Sequence, residues 1–137
     1  MAKQNHVFDS WALIAFLEDE PAAEEIESLI AHANESENEL WVTTVNLGEV
    51  WYAVARLHSE NAADQAVTEV LRLGFKAADA DWELTREAAK FKAKAKLAYA
   101  DCFAAALAKK RNAELITGDP EFRQLSTQIK IHWLPRK

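Results

Sequence analysis

Short apolar runs alternate with longer amphipathic stretches along most of the chain. Runs rich in β-branched and aromatic residues predict buried strands, whereas apolar residues spaced three and four positions apart predict helices. Strand patterns occur at residues 6–9, 40–44, 113–117 and 130–134, with a weaker one at 75–78. Helical patterns occur at residues 10–17, 21–34, 45–57, 62–73, 81–96 and 99–111, with one further helical turn at 121–125.

This alternation of strand and helix has a direct consequence for strand pairing. Strands separated by helices pair in parallel through crossover connections, and the helices then cover both faces of the sheet. We therefore predict a three-layer α/β fold in which a mostly parallel sheet of four to five strands is flanked by helices. Ligand sites in such sheets lie outside the carboxyl ends of the strands, where the strand order reverses.

Length and composition are those of one compact domain. The 137 residues are 50% hydrophobic and include only three Gly and three Pro, so we expect a single domain over residues 1–137. Cys102 is the single cysteine, which excludes an intrachain disulfide and a cysteine-based zinc site. No apolar run approaches the roughly 18 to 20 residues that span a bilayer, and residues 1–7 do not resemble a signal peptide. We expect a soluble cytoplasmic protein without membrane association.

The charges are distributed unevenly along the chain. The net charge of −6 argues against a protein that binds nucleic acid through its overall charge. Residues 18–39 contain nine acidic residues and no Lys or Arg, whereas residues 86–111 contain eight basic residues and two acidic ones. Within the second segment, Lys90 and Lys94, like Lys92 and Lys96, are four positions apart and share helix faces. They are candidates for contact with substrate phosphates, although a solvated helix face is the simpler interpretation.

Four acidic residues stand at comparable places in the predicted fold. Asp9 ends the first strand, Glu49 lies in the first turn of the helix after the second strand, Asp101 begins a buried helix, and Asp119 follows the fourth strand. Each has a structural explanation as well, because Asp9 and Asp119 can cap helices, Glu49 can form a capping box with Asn46, and Asp101 can oppose a helix dipole. Their common location at strand ends predicts that they converge.

Converging carboxylates favour a divalent cation. Like charges within a few ångströms repel each other and raise each other's pKa values unless a cation lies between them. Mg²⁺ and Mn²⁺ prefer carboxylate oxygens and water, and the four histidines show no ligand spacing that would select zinc. A metal site of this kind suits phosphodiester hydrolysis, because the cation activates water and neutralises charge on the phosphate.

The residues around these four acids, taken in their order along the chain, resemble those of PIN-domain ribonucleases, and in particular those of the VapC-type toxins of toxin-antitoxin modules. Four blocks carry the resemblance, at residues 7–14, 44–50, 99–107 and 115–122. The resemblance implies a PIN-like fold and metal binding by Asp9, Glu49, Asp101 and Asp119. It also implies a small hydroxyl residue near the fourth acid, matched by Thr117, with a catalytic role beside the four acids.

The resemblance further implies Mg²⁺ or Mn²⁺ as cofactor, RNA as substrate, a cognate antitoxin as partner, and a homodimer. Ser10, directly after the first acid, is a further candidate for substrate contact. Two positions depart from the family pattern: Trp11 stands where a small Ser is common, and Ala98 stands where a Ser often precedes the third acid. One ring among Trp11, Trp51 and Tyr52 can stack on an RNA base if it is exposed.

We therefore predict a Mg²⁺- or Mn²⁺-dependent endoribonuclease that is the toxin of a type II toxin-antitoxin module. The alternative is a catalytically inactive PIN-like module that binds a partner peptide or RNA, and a housekeeping nuclease also stays open. A phosphatase of the haloacid dehalogenase type is disfavoured, because its second Asp belongs at the position of Trp11.

Overall fold

The computed structural model describes residues 4–136, so the ends of the predicted 1–137 domain lie outside the described residues. Its five strands are β1 (His6–Phe8), β2 (Leu40–Thr43), β3 (Phe75–Ala78), β4 (Glu114–Thr117) and β5 (Lys130–Trp133). Its six helices are α1 (Ser10–Leu17), α2 (Ala23–Ser36), α3 (Thr44–Leu57), α4 (Glu60–Arg72), α5 (Trp82–Lys94) and α6 (Tyr99–Lys110). A 3-10 helix at Pro120–Leu125 connects β4 to β5.

The five strands form one sheet in the order β3-β2-β1-β4-β5, and every neighbouring pair is parallel. The chain builds outward from β1 through β2 to β3, then crosses back to place β4 on the other side of β1. The strand order thus reverses between β1 and β4, and their carboxyl ends open onto the crevice where ligand sites occur in such sheets.

Helices cover both faces of the sheet, which confirms the three-layer α/β prediction. Alternate strand residues point to opposite faces, so Phe8 and Ile116 pack among α1 to α4, whereas Val7 and Leu115 pack among α5, α6 and the 3-10 helix. Helix α6 contributes an almost continuous buried stretch of small and apolar residues, from Cys102 to Ala108. This close packing fixes the start of α6 against the sheet.

Two details differ from the sequence-based expectation. The second helix begins at Ala23 rather than at Pro21, because the chain first makes a turn in which Asp19 adopts a φ of 52°. The predicted helix at 81–96 ends at Lys94, where Ala95 takes an extended conformation and starts the connection to α6. In the part of the chain that the structure describes, no helix is long and apolar enough to cross a membrane.

Candidate metal centre

Asp9 lies at the centre of the crevice, directly after β1. It is 1% exposed, and its Oδ1 accepts a hydrogen bond of 2.8 Å from the backbone N–H of Ala12, which caps α1. Its Oδ2 accepts a hydrogen bond of 2.5 Å from the hydroxyl of Thr117 at the end of β4. Burial raises the pKa of Asp9 to about 7, and the charges of Asp101 and Asp119 contribute to the rise. Asp9 therefore caps α1 and also lies close enough to the other acids for their charges to act on it.

Thr117 connects Asp9 to the fourth acid. Its side-chain oxygen also accepts a hydrogen bond of 3.0 Å from the backbone N–H of Asp119, and the whole residue is buried. Asp119 in turn caps the 3-10 helix, because its Oδ1 accepts a hydrogen bond of 2.9 Å from the N–H of Glu121. The end of β4 is thus held in one conformation that turns Asp119 and Glu121 toward the crevice.

Glu49 is oriented by side chains from two helices. Its Oε1 accepts a hydrogen bond of 2.5 Å from the Ser10 hydroxyl and a longer one of 3.5 Å from Asn46 Nδ2. Its Oε2 lies 3.3 Å from the hydroxyl of Tyr52, whose pKa is raised by the charge of Glu49. The Ser10 hydroxyl, predicted to contact substrate, is therefore engaged with Glu49, and its contact with substrate stays a prediction.

Asn46 positions both Glu49 and the start of α6. Its Nδ2 donates to the carbonyl oxygen of Ala100 at 3.2 Å, which fixes the residue directly before Asp101. The proposed capping box was wrong in one respect, because the N-cap of α3 is Thr43, whose Oγ1 accepts from the N–H of Asn46 at 3.0 Å. Strand β2 continues to Thr43 in an extended conformation, so the helix begins three residues earlier than a cap at Asn46 requires.

The tightest group of acids consists of Asp101, Asp119 and Glu121. One carboxylate oxygen from each lies within 4.8 Å of the others, the sole such group of possible ligands among the described residues. Burial raises the pKa of Asp101 to about 7, and the charges of Asp119, Glu49 and Glu121 raise it further. All four predicted acids thus face a common region, and Glu121 joins them.

Glu121 is the residue that the sequence analysis missed. It was assigned only to a helical turn, although it follows Asp119 by two positions across a proline. The Asp-Pro-Glu sequence could have indicated its place. When one acid caps a 3-10 helix, an acid two positions later lies at the same end of that helix.

The donor set fits a hard divalent cation. The three clustered ligand atoms are all carboxylate oxygens, which Mg²⁺ and Mn²⁺ prefer, and no histidine belongs to the group. The raised pKa values of Asp9 and Asp101 express burial and mutual repulsion, both of which a bound cation would offset. Asp101, Asp119 and Glu121 would hold the ion, with Asp9 and Glu49 beside them.

Comparison with known proteins identifies the family. A family model described as the PIN domain matches residues 7–127, which is most of the chain. The chain belongs to the PIN domain family. No curated protein matches it significantly.

Solved structures show the same PIN fold at low sequence identity. VapBC2 from Rickettsia felis, bound to a promoter DNA fragment, aligns with a TM-score of 0.73 and 14% identity, over 96% of this chain and 100% of that chain. VapC20 from Mycobacterium tuberculosis, a Sarcin-Ricin loop cleaving toxin, aligns with a TM-score of 0.70 and 14% identity, over 91% and 96%. VapBC-1 from nontypeable Haemophilus influenzae aligns with a TM-score of 0.69 and 16% identity, over 95% and 98%.

One of the two departures from the family pattern has a packing role in this PIN domain. The half-buried ring of Trp11 packs against Gly118, and a Cβ placed on Gly118 would lie 2.2 Å from Trp11 Cη2. The segment from Thr117 to Asp119 is thus pressed against α1. At the other departure, Ala98 is the N-cap of α6 and makes no side-chain hydrogen bond to the helix.

The basic residues proposed to contact substrate lie near the connection between α5 and α6. Lys92 Nζ donates a hydrogen bond of 2.6 Å to the carbonyl oxygen of Leu97, so this ammonium group braces the connection. The backbone N–H of Lys96 donates to Gln124 Oε1 at 2.9 Å, and its side chain is exposed. Contact of Lys92 and Lys96 with a substrate stays a prediction.

Proposed function

We propose that this PIN domain is a Mg²⁺- or Mn²⁺-dependent endoribonuclease. The observation that carries the proposal is the cluster of Asp101, Asp119 and Glu121 at the strand-order reversal, beside the buried Asp9. An all-oxygen donor set suits the hydrolysis of phosphodiesters better than redox or acyl-transfer chemistry.

A divalent cation bound by these carboxylates would supply positive charge beside the phosphodiester and activate water for in-line attack on phosphorus. The protein's own contribution is to hold the carboxylates in place. Thr117 and the N–H of Ala12 fix the two oxygens of Asp9, whereas Ser10 and Asn46 fix Glu49. Because these donors are already in position in the folded protein, the acids need little rearrangement when the cation and substrate bind.

We further propose that the protein is the toxin of a type II toxin-antitoxin module and forms a homodimer in the cytoplasm. Support comes from the solved structures of similar fold, which include VapBC complexes and a toxin described as Sarcin-Ricin loop cleaving. A cognate antitoxin is accordingly the proposed protein partner, and RNA is the proposed substrate.

The test is Mn²⁺-dependent cleavage of a panel of structured and single-stranded RNAs by the purified protein. Cleavage should disappear with EDTA, return with Mn²⁺, and be abolished in Asp9→Asn and Asp101→Asn. Asp79→Asn is the matched control, because Asp79 is exposed and belongs neither to the acidic cluster nor to the groups that shift the pKa values of Asp9 and Asp101. Circular dichroism and thermal unfolding would show that each variant is folded.

Two outcomes would contradict the proposal. If a folded Asp101→Asn protein still cut RNA in a metal-dependent manner, the assigned site would be wrong. If the wild-type protein bound RNA or a partner peptide without cutting any RNA, the inactive binding module would be the correct function.

A further inference from the structure

A basic cavity lies on the α5 and α6 side of the sheet, where the 3-10 helix that carries Glu121 ends. It has a volume of about 350 Å³ and is lined by residues of α5, α6 and the segment that contains the 3-10 helix. Phe91 and Leu125 are the buried apolar residues in its lining. The exposed side chains around them include Lys90, Lys94 and Lys109.

The cavity is positively charged although the protein as a whole is acidic. Three lysines and a single acid, Glu87, line it, which leaves a net charge of about +2 in this location. Glu87 Oε1 lies 3.2 Å from Lys90 Nζ, while Lys109 Nζ lies 5.8 Å from the centre of the Phe91 ring. Lys94 has no acidic partner among the residues that line the cavity. A site with several ammonium groups around a concave surface suits the oxygens of a phosphate.

The 3-10 helix joins this cavity to the acidic cluster. Glu121, near its first residue, belongs to the cluster, and Leu125, its last residue, lines the cavity. Four residues at the 3-10 rise of about 2.0 Å separate the two positions by roughly 8 Å along the helix axis. A polynucleotide bound at the acids therefore reaches the cavity within a few nucleotides.

The 3-10 helix is also fixed to the connection between α5 and α6. Gln124 accepts from the N–H of Lys96 at 2.9 Å and donates to the Lys96 carbonyl oxygen at 3.1 Å. Its amide nitrogen also donates to the carbonyl oxygen of Glu121 at 3.1 Å. Gln124 thus ties the 3-10 helix that carries Glu121 to the chain segment that follows α5.

We propose that the cavity lined by Lys90, Lys94 and Lys109 binds a backbone phosphate of single-stranded RNA within a few nucleotides of the bond that is cut. This inference rests on the proposed ribonuclease function and names a residue set different from Lys92 and Lys96. Lys92 Nζ is bonded to the Leu97 carbonyl, whereas Lys90 and Lys94, one helical turn apart, both line the cavity.

The inference is tested by RNA binding to the double variant Lys90→Gln/Lys94→Gln. A fluorescein-labelled single-stranded RNA of mixed sequence is titrated at several salt concentrations with Ca²⁺ in place of Mn²⁺, because Ca²⁺ also binds carboxylate oxygens and so neutralises the acidic cluster. Gel electrophoresis checks that the RNA stays intact. Removing two of the three ammonium groups around this phosphate should weaken binding several-fold and make the slope of log K against log[salt] shallower by about 0.7. The matched control is Arg72→Gln/Lys76→Gln, which removes the same charge from residues outside the cavity and should bind like the wild type.

Each other outcome decides against the inference. An unchanged affinity and salt slope in the double variant would overturn it, as would a wild-type protein that binds no RNA in this assay. A labelled polyglutamate peptide is titrated in parallel. If the lysine substitutions abolish binding of this peptide but not of RNA, the cavity takes an acidic protein segment instead.

Cleavage assays with Mn²⁺ separate this inference from the proposed function. If Lys90→Gln/Lys94→Gln binds and cuts RNA as the control does, the phosphate site is wrong and the ribonuclease stands. If the wild-type protein binds RNA through the lysines but cuts none, the phosphate site stands and the ribonuclease is wrong.

Discussion

The hydroxyl of Thr117 donates a hydrogen bond to Asp9 across the two central strands of the sheet, between residues 108 positions apart in the sequence. The same oxygen accepts the N–H of Asp119, so one side chain fixes the first and last of the predicted acids. Its removal leaves two buried polar groups without a partner, and this suggests a direct test of its importance.

Thr117→Val should destabilise the protein by about 1–3 kcal/mol, the usual cost of leaving buried polar groups unpaired. It should also raise the pKa of Asp9 further, because the bond from Thr117 lowers that pKa. Urea unfolding and carboxyl titration by NMR would measure the two effects. Thr117→Ser keeps the hydroxyl and should restore most of both; equal stability of the Val variant and the wild type would contradict the assignment.

Gly118→Ala should destabilise the protein by about 1–3 kcal/mol, because the added methyl group overlaps the Trp11 ring. Thermal and urea unfolding would measure the loss. The matched control is Gly48→Ala in α3, where a Cβ has no neighbour within 4 Å and a helical Ala should stabilise by about 1 kcal/mol.

A double-mutant cycle checks the cause of the Gly118→Ala effect. In a Trp11→Ala background, the space that the ring occupied is open, so Gly118→Ala should cost much less than in the wild type. A cost that is the same in both backgrounds would point to backbone strain rather than to contact with the ring.

Adding Mn²⁺ should stabilise the protein more at pH 8 than at pH 5. The pKa values of Asp9 and Asp101 are raised from 3.8 to about 7, so the metal-free folded protein binds more protons than the unfolded chain between these values. Their contribution to stability is therefore fully present below pH 3.8 and is lost as the pH rises through about 7. A cation that binds the ionised carboxylates reverses this loss.

The measurement is the shift in melting temperature caused by Mn²⁺ at the two pH values, at matched ionic strength. Asp101→Asn should show a much smaller shift at pH 8, whereas Asp79→Asn should behave like the wild type. An equal shift at pH 5 and pH 8 would mean that the cation binds somewhere other than these carboxyls.

At the amino end of β1, His6 should oppose the gain in stability that protonation of Asp9 and Asp101 brings in mild acid. Burial lowers the pKa of His6 from 6.5, and this outweighs the attraction of Glu114, whose Oε1 lies 3.2 Å from His6 Nδ1. Positive charge on His132 or His32 would also lower the pKa of the His6 ring. A lowered pKa means that the contribution of His6 to stability is fully present above pH 6.5 and is lost as the pH falls through the folded value.

Unfolding free energies measured from pH 7.5 downward would test this, with the ring titration of His6 followed by NMR. Relative to the wild type, His6→Gln should gain stability as the pH falls below 6.5. His58→Gln should not, because the His58 ring is 54% exposed and pairs with Glu18 at the surface. If the difference in unfolding free energy between His6→Gln and the wild type does not change with pH, the assignment to His6 is wrong.

The sequence predicted the parts of the site that follow from strand ends. Asp9 directly follows β1 and Asp119 comes two residues after the end of β4, and the parallel pairing of those strands brings the two acids together without further information. Periodicity also located all five strands and six helices to within two or three residues. Turn geometry was harder, as the start of α2 shows: a proline at 21 suits both a first helical turn and the preceding bend.

The rest of the site depends on contacts between segments that no local pattern records. Asn46 was interpreted as a helix cap, and its bond to the Ala100 carbonyl exists only because α3 and α6 pack side by side. Glu121 meets Asp101, and Lys109 meets residues of α5, only because the 3-10 helix, α5 and α6 pack against one another.

The location of Asp9 and Thr117 on the two innermost strands has a consequence for local motion. Both are anchored where β1 and β4 pair, with Val7 opposite Leu115 and Phe8 opposite Ile116. A fluctuation that separates these two strands must break the middle of the sheet, so it requires nearly the full free energy of unfolding. Amide hydrogens around these residues should consequently exchange with solvent at the rate of whole-molecule opening, while helices at the periphery exchange sooner.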